Sequence, residues 1–250
     1  MPTHYIFDVD GTLTPSRSLI DPEFEKWFFA FCGKNNVYLV TGSDRVKTIE
    51  QIGIPLYFAA KRVYNCSGNE VWERDRIVGQ NKMSVSVSPQ AHGHFKMSVS
   101  VSLLESLKQE LFRSQFPIKT GNHIEQRMGL INFSTVGRNA TREQREKYKQ
   151  FDITYRERRH IATRLTHKFP NYQFQVAGEI GIDIVEEGKD KAQIIKDFES
   201  STDKLVFFGD NIYKGGNDYT LAKVIEDNQM GIAHQVSNWQ HTWDILKSKY

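Results

Sequence analysis

Two apolar stretches of this chain end abruptly in aspartates and glycines. The first reads Phe-Asp-Val-Asp-Gly-Thr-Leu-Thr at residues 7–14, and the second reads Phe-Phe-Gly-Asp at 207–210, followed by Gly-Gly-Asn-Asp at 215–218. Such runs are typical of buried parallel strands, and ligands bind at the carboxyl edge of an open α/β sheet. If the two strands are neighbours, four aspartates converge there: Asp8, Asp10, Asp210 and Asp218.

Converging carboxylates repel one another unless a cation is present, and oxygen-only ligation suits Mg²⁺. A carboxylate at such a metal can attack a phosphoryl group and form an aspartyl-phosphate. We therefore predict that Asp8 is both nucleophile and metal ligand. Asp10 lies two residues on, on the same side of an extended chain, and would exchange a proton with the oxygen across the phosphorus.

A lone Asp-Gly after a strand is usually only a turn. Here the whole octet at 7–14 and the distant glycine-aspartate pair agree with each other. Asp-x-Asp-Gly-Thr-Leu-Thr directly after an N-terminal strand resembles the haloacid dehalogenase superfamily of phosphotransferases.

Composition excludes several classes of protein. The 250 residues are 39% hydrophobic and 25% charged, and the net charge of +3 is too small to imply a nucleic-acid partner. No apolar run approaches the ~20 residues of a membrane helix, and the N-terminus has no signal-peptide pattern. Cys32 and Cys66 lack metal-ligand spacing and are expected to be buried thiols, so we predict a cytoplasmic protein.

The order of predicted elements indicates an α/β fold: a Rossmann-like core of the haloacid dehalogenase type, with a parallel sheet, interrupted by an inserted α+β cap. The core would comprise residues 1–80 and 187–250, and the cap residues 81–186. Expected core elements are a helix at 23–31 ended by Gly33, strands at 37–40, 56–60 and 204–208, a hairpin at 65–76, and helices at 191–198 and 239–247. Expected cap elements are strands at 131–134, 172–176 and 180–185 and helices at 103–113 and 142–150.

The segment Lys-Met-Ser-Val-Ser-Val-Ser occurs twice, at 82–88 and 96–102. Its alternation has the period of a strand, so a hairpin is possible, although a local duplication without function is the simpler interpretation.

Two further segments could hold phosphate. Thr-Gly-Ser-Asp at 41–44 opens a helix that carries Lys47, so a hydroxyl and the amides at the helix N-terminus could bind phosphate oxygens. The same pattern is often only an N-cap. Lys191, at the start of its own predicted helix, is a candidate for neutralising phosphate charge.

Arginines in the inserted segment carry a closer resemblance. Arg127, Arg138 and Arg145, with Gly178 and Asp183 downstream, resemble the eukaryotic-type phosphomannomutases, and the likeness runs from about residue 5 to about residue 220. It implies catalysis by Asp8 and Asp10 and a metal site of Asp8, Asp10, Asp210, Asn217 and Asp218. It also implies substrate binding by Arg17, Gly42, Ser43, Lys47, Arg127, Arg138, Arg145 and Asp183, and Asp44 falls within the same motif as Ser43.

The chain departs from that family at a few positions. Met128 stands where the family has asparagine and Gly181 where it has serine, while Thr135 replaces a proline and Glu179 a glutamine. If Met128 and Gly181 face the sugar, two hydrogen-bonding side chains have been lost. The sequence then predicts weaker hexose selection than in other members, and a sharper one after Met128→Asn with Gly181→Ser.

The resemblance implies a phosphohexomutase that interconverts hexose 6-phosphate and hexose 1-phosphate through an aspartyl-phosphate and a hexose bisphosphate. It also implies Mg²⁺, hexose 1,6-bisphosphate as activator and a homodimer formed through the cap. A phosphosugar phosphatase with the same core is the alternative, because water could discharge the same intermediate. A non-catalytic phosphosugar-binding protein is a third hypothesis, which the intact set of carboxylates disfavours.

Overall fold

The computed structural model describes residues 2–73, 100–199 and 201–250, whose ten strands form two sheets. The strands are β1 (Thr3–Phe7), β2 (Asn36–Val40), β3 (Arg62–Asn65), β4 (Glu70–Glu73), β5 (Ile124–Arg127), β6 (Leu130–Phe133), β7 (Tyr172–Ala177), β8 (Gly181–Glu186), β9 (Lys204–Gly209) and β10 (Gly231–Gln235). The α-helices are α1 (Pro22–Lys34), α2 (Arg45–Ala59), α3 (Val101–Arg113), α4 (Arg142–Tyr155), α5 (Glu157–Lys168), α6 (Tyr219–Asp227) and α7 (Trp239–Lys249). Short 3₁₀ helices occupy Cys66–Gly68 and Lys191–Asp197.

The larger sheet has the strand order β10-β9-β1-β2-β3-β4 and is parallel except for β4. Strand β1 lies between β9 and β2, with Phe7 opposite Phe208. The two apolar stretches of the sequence are therefore neighbouring strands, which meets the condition for the aspartates to converge, and the residues that follow them share one edge of the sheet.

Both faces of this sheet are covered, which explains why its central strands are apolar throughout. Phe7 and Phe208 belong to one buried cluster with residues of α1, α2 and α7. Ile6 and Phe207 point the other way, into a cluster with α6 and the 3₁₀ helix at Lys191–Asp197. The α/β class with a parallel sheet is confirmed.

The apolar stretch at 56–60 is not the third strand, and that prediction was wrong. It is the end of α2, and the third strand is Arg62–Asn65. Gly53, at φ +77°, breaks the helical backbone, and Pro55 lies in the turn that follows. Proline is favoured in the first turn of a helix, so the segment resumes as helix instead of extending. A hairpin exists near the predicted 65–76 but starts earlier, because β3 ends at Asn65 and pairs with antiparallel β4.

Helix α1 begins as the sequence indicates. Asp21 accepts hydrogen bonds from the amides of Glu23 and Phe24, and Pro22 occupies the first helical position. Gly33 does not end this helix, which continues to Lys34.

The second sheet is antiparallel, with the order β5-β6-β8-β7. Its apolar face packs against α3 and α5, with Leu107, Ile131 and Ile161 in one buried cluster. This sheet draws its strands from residues 124–186 and the parallel sheet from 3–73 and 204–235. We therefore propose the domain division 1–80 with 187–250 and 81–186, whose first boundary lies outside the described residues. The first copy of the repeat, and most of the second, also lie outside them.

Within the described segments, none of the helices combines the length and the apolar character that crossing a membrane requires.

Candidate active site

Three carboxylates meet at the carboxyl edge of the parallel sheet. Asp8 follows β1 and Asp210 follows β9, and Asp218 joins them from the loop before α6. One oxygen from each carboxylate lies within 4.8 Å of the others. Asp8 is 3% exposed and Asp218 is fully buried, so water does little to screen their charges.

Gly11 allows this close approach. Its φ of +81° is a left-handed conformation that glycine adopts at little cost. A Cβ atom at residue 11 would lie 2.4 Å from Oδ2 of Asp210, so a side chain there would push Asp210 aside. The glycine of the first motif therefore makes room for the aspartate of the second.

Lys191 neutralises part of the charge. Its ammonium donates to Oδ1 of Asp8 at 2.6 Å and to Oδ1 of Asp218 at 2.7 Å. The side chain is wholly buried, although lysine is rarely so unless it is paired. Asp190 caps this 3₁₀ helix by accepting a hydrogen bond from the amide of Ala192. The cap fixes the backbone position of Lys191, the first residue of the helix.

One ammonium does not balance three carboxylates, and the pKa values reflect this. Burial raises the pKa of Asp8 to about 8, against the lowering effect of Lys191, and Asp218 raises it further. Burial and the neighbouring Asp8 and Asp218 likewise raise the pKa of Asp210. A further cation bound beside these carboxylates would stabilise their charged forms and lower their pKa values.

The donor set fits Mg²⁺. The oxygens of Asp8, Asp210 and Asp218 are hard ligands in one place, and Oδ1 of Asn217 is buried without a hydrogen-bond partner in the described structure. The side chain of Asp10 lies outside the three-carboxylate group. Its assignment as a ligand, and that of Asn217, stay predictions.

Asp210→Ala is expected to weaken the stabilisation of the protein by Mg²⁺, since it removes one of the three clustered carboxylates. The measurement is the rise in unfolding temperature as Mg²⁺ is added, and it needs no substrate. Asp244→Ala, an exposed position on α7, is the control. Equal Mg²⁺ responses in wild type and Asp210→Ala would show that the metal is held elsewhere.

Asp10 has a polar environment that differs from that of Asp8. Its carboxylate accepts from the Arg17 amide at 2.9 Å, the Gln51 side-chain amide at 2.9 Å and the Ser43 hydroxyl at 3.3 Å. These three donors fix the orientation of the Asp10 carboxylate, which stays partly exposed. A group that exchanges a proton with a ligand needs both properties.

A cleft opens between the two sheets. Its lining includes most of the predicted site residues: Asp8, Asp10, Arg17, Gly42, Ser43, Arg127, Arg138, Arg145, Asp183 and Asn217. Four arginines therefore face one cavity. Burial and the neighbouring Arg145 lower the pKa of Arg17 to about 10, and Nη1 of Arg145 is buried without a hydrogen-bond partner in the described residues. Such a group of cations favours an anionic ligand.

Glu125 is the common counter-ion of this group, and the sequence analysis missed it. Its carboxylate lies 2.9 Å from Nε of Arg138 and 3.2 Å from Nη2 of Arg127, and it also accepts from Nζ of Lys47. Glu125 and Arg127 are two residues apart on β5, so they share a face. That spacing was the signal available, but a single glutamate two residues from an arginine is common on solvated strands.

Lys47 and Lys191 do not line the cleft. Lys47 is paired with Glu125, and Lys191 lies beneath Asp8. This geometry does not favour direct contact of either lysine with substrate. Lys191 supports Asp8, which lines the cleft, and Lys47 shares Glu125 with Arg127 and Arg138, which also line it. Met128 is also absent from the lining, whereas Gly181 is part of it. Of the two departures, only Gly181 lines the cleft, and the expectation that Met128 faces the sugar stays a prediction.

Gly42, in the loop after β2, is one point of contact between the parallel-sheet part of the chain and the antiparallel sheet. Its carbonyl accepts from Nη1 of Arg127 at 2.8 Å. A Cβ atom at residue 42 would lie 2.5 Å from Oδ2 of Asp183, so a side chain would separate the two layers. On the other side of the cleft, Val176 of β7 bonds the loop at 215–217. The Gly-Gly-Asn motif thus also contacts this sheet.

Comparisons with a family model and with known proteins point to the same family. The family model of eukaryotic phosphomannomutase matches residues 25–250. A phosphomannomutase from Dendrobium officinale is 30% identical over 244 residues, which cover 97% of this chain and 92% of that protein. One from Glycine max is 28% identical over 247 residues, covering 98% and 95%.

Solved structures with the same fold include a nucleotidase and a protein related to a phosphatase. An IMP-bound mutant of Plasmodium falciparum IMP-nucleotidase superposes with a TM-score of 0.63 at 16% identity, over 99% of this chain and 68% of that one. A trehalose-6-phosphate phosphatase related protein gives a TM-score of 0.50 at 18% identity, over 97% and 95%. At these identities the likeness concerns the fold alone.

Proposed function

We propose that this chain, which belongs to the eukaryotic phosphomannomutase family, is a phosphohexomutase that interconverts hexose 6-phosphate and hexose 1-phosphate. The observation that carries the proposal is one cleft lined by two kinds of group. Asp8 and Asp10 lie in it on the core side, and Arg127, Arg138 and Arg145 on the side of the second sheet. A hexose bisphosphate has a reacting phosphate for the first set and a distal phosphate for the second.

Asp8 is the nucleophile of the proposed cycle. Its carboxylate oxygen attacks phosphorus of a bound hexose bisphosphate, the bond between phosphorus and the sugar oxygen breaks, and Asp10 donates a proton to that oxygen. In the reverse sense Asp10 takes the proton of a sugar hydroxyl, whose oxygen attacks the phosphorus on Asp8, and the bond between phosphorus and the Asp8 oxygen breaks. Bound Mg²⁺, held by Asp8, Asp210 and Asp218, would neutralise charge on the equatorial phosphate oxygens.

The proposed cycle requires the sugar to present each end in turn. The arginines must therefore hold whichever phosphate is not reacting, at either end of the sugar. Arg–phosphate pairs are directional but depend only on the phosphate group, so one set of arginines can serve both orientations. The second sheet also covers the cleft, which limits hydrolysis of the aspartyl-phosphate by water.

A phosphosugar phosphatase is the second candidate function, since its core chemistry is the same. One assay separates the two. The protein is incubated with Mg²⁺, mannose 1-phosphate and a catalytic amount of hexose bisphosphate, and mannose 6-phosphate and free phosphate are followed together. A mutase forms the 6-phosphate with little free phosphate. Free phosphate in proportion to the substrate consumed would favour the phosphatase and contradict the proposal.

Arg138→Ala and Arg145→Ala are expected to raise the Michaelis constant for phosphosugars by tenfold or more, on the scale of a lost charge-assisted contact of about 1.5–3 kcal/mol. Hydrolysis of a small phosphate ester without a second anionic group should change little. The measurement is the ratio of the two catalytic efficiencies in each variant.

Arg142→Ala is the matched control, because Arg142 is exposed in the same first turn of α4 as Arg145. Equal losses on both substrates would show that Arg138 and Arg145 support the fold around the cleft and do not bind the distal phosphate.

The proposal extends to Mg²⁺ as the resident metal, hexose 1,6-bisphosphate as activator, a cytoplasmic location and a homodimer formed through the second sheet and its helices, with no nucleic-acid or membrane partner. Phe112 on α3 supports the dimer, since it is 92% exposed although aromatic. Sedimentation of the purified protein measures the oligomeric state.

A further inference from the structure

Asn132 is a buried polar residue of the cleft to which the family resemblance assigns no role. It lies on β6 directly opposite Asp183 on β8, and its Nδ2 donates to Oδ1 of Asp183 at 2.7 Å. Asn132 is 4% exposed and Asp183 is 3% exposed, yet both line the cleft. The pair therefore lies in the wall of the cleft and is largely shielded from solvent.

The hydrogen bond to Asp183 fixes which way the amide of Asn132 points. The NH₂ group must face the carboxylate, because the amide oxygen would be repelled there. Oδ1 is then directed elsewhere, and it is buried without a hydrogen-bond partner in the described structure. A buried acceptor without a partner is costly, and because Asn132 lines the cleft, a hydroxyl of a bound ligand is a donor that could satisfy it.

Gly181 makes the position of this amide possible. A Cβ atom at residue 181 would lie 2.6 Å from Nδ2 of Asn132 and 3.3 Å from the carbonyl oxygen of Ala177. The φ of Gly181 is not among the positive values of this chain, so the backbone itself would accept other residues. A side chain at residue 181 would therefore have to displace the Asn132 amide.

We infer that Asn132 is a specificity-determining residue: its Oδ1 accepts a hydrogen bond from one hydroxyl of the sugar ring, and Gly181 keeps that amide in place. This inference rests on the proposed function. It reverses the expectation drawn from the sequence, because a serine at 181 would displace the Asn132 amide and would not sharpen hexose selection.

The test combines removal of the Asn132 side chain with removal of single sugar hydroxyls. Dissociation constants are measured by calorimetry for glucose 6-phosphate and its 2-, 3- and 4-deoxy analogues, with wild type and Asn132→Ala. Wild type is expected to bind one deoxy analogue about tenfold more weakly than the parent, the scale of one buried hydrogen bond. Asn132→Ala is expected to bind that analogue and the parent equally, within about twofold.

Gly181→Ala and Gly181→Ser are expected to lose the same discrimination, since either side chain displaces the amide. Combining either change with Asn132→Ala should add nothing, because each single change already removes the same contact. Met128→Ala is the control, at a half-buried position near the cleft but outside its lining. Asn132→Ser provides a second variant if Asn132→Ala does not fold, and it should also lose the discrimination.

Three results would overturn the inference. If Asn132→Ala weakens binding of all four sugars equally and keeps the discrimination, the residue only positions Asp183. If the losses from Asn132→Ala and Gly181→Ala multiply, the two positions act independently. Failure of wild type to bind any hexose phosphate would instead overturn the proposed function, and this inference with it.

Discussion

Asp8→Asn is expected to reduce phosphoryl transfer to below about one-thousandth of the wild-type rate, because an amide cannot serve as the nucleophile. The substitution changes the volume little, and it removes a carboxylate that burial makes costly to ionise. The variant should therefore fold. Steady-state rates with mannose 1-phosphate measure the loss, and mass spectrometry after an acid quench detects the phosphoryl group on wild-type Asp8.

Asp244→Asn, the same chemical change at an exposed position, is the control. It should keep both the rate and the phosphorylated form. If Asp8→Asn retains more than about one-thousandth of the wild-type rate, or if the phosphoryl group is found on another residue, the covalent mechanism through Asp8 is wrong.

The meeting of Asp8 and Asp210 was predictable from the sequence because it depends on few assumptions. Both residues follow apolar runs, parallel strands align their carboxyl ends, and β1 pairs with β9 in register. The separation of about 200 residues does not matter once the strands are neighbours. The arginines were identified by family resemblance, and the cleft that they share depends on how the two sheets meet.

The stretch at 56–60 shows where local patterns fail. A short apolar run does not distinguish a buried strand from one side of a helix. Leu56 and Tyr57 are buried and Phe58 packs against Trp72, so the residues are core in either case. Only the preceding Gly53 and Pro55 indicated a new helical turn, and the prediction of a strand followed the apolar run instead.

Glu125 and Asn132 could not be found by pattern alone. Each owes its role to a partner that is distant in sequence: Lys47 and Arg138 for the glutamate, and Asp183 and Gly181 for the asparagine. Single polar residues on strands are usually solvated, so their residue types carry little signal. The departure at Gly181 was visible in the sequence, but the amide that fills its space was not.

Lys191→Met should destabilise the fold and abolish activity, because it leaves Asp8, Asp210 and Asp218 clustered with no ammonium between them. Removing one partner of a buried ion pair costs about 3–5 kcal/mol. Methionine keeps most of the side-chain volume, so the cost is electrostatic. Urea unfolding measures it, and Lys223→Met on α6, where the lysine pairs with Asp227 at the surface, should cost at most about 1 kcal/mol.

The dependence on Mg²⁺ and on pH tests whether unbalanced charge causes the loss of stability in Lys191→Met. Mg²⁺ should restore part of the stability of Lys191→Met, since it supplies a cation to the same carboxylates. The pKa of Asp8 is raised to about 8 by burial, and Lys191 lowers it, so loss of the lysine raises it further. The folded variant then holds a proton that the unfolded chain releases near pH ~4. Its stability should therefore fall as pH rises above ~4, and the fall should continue to higher pH than in wild type, whose Asp8 has a pKa of about 8. A deficit that changes with neither Mg²⁺ nor pH would mean that Lys191 supports packing and does not balance the carboxylates.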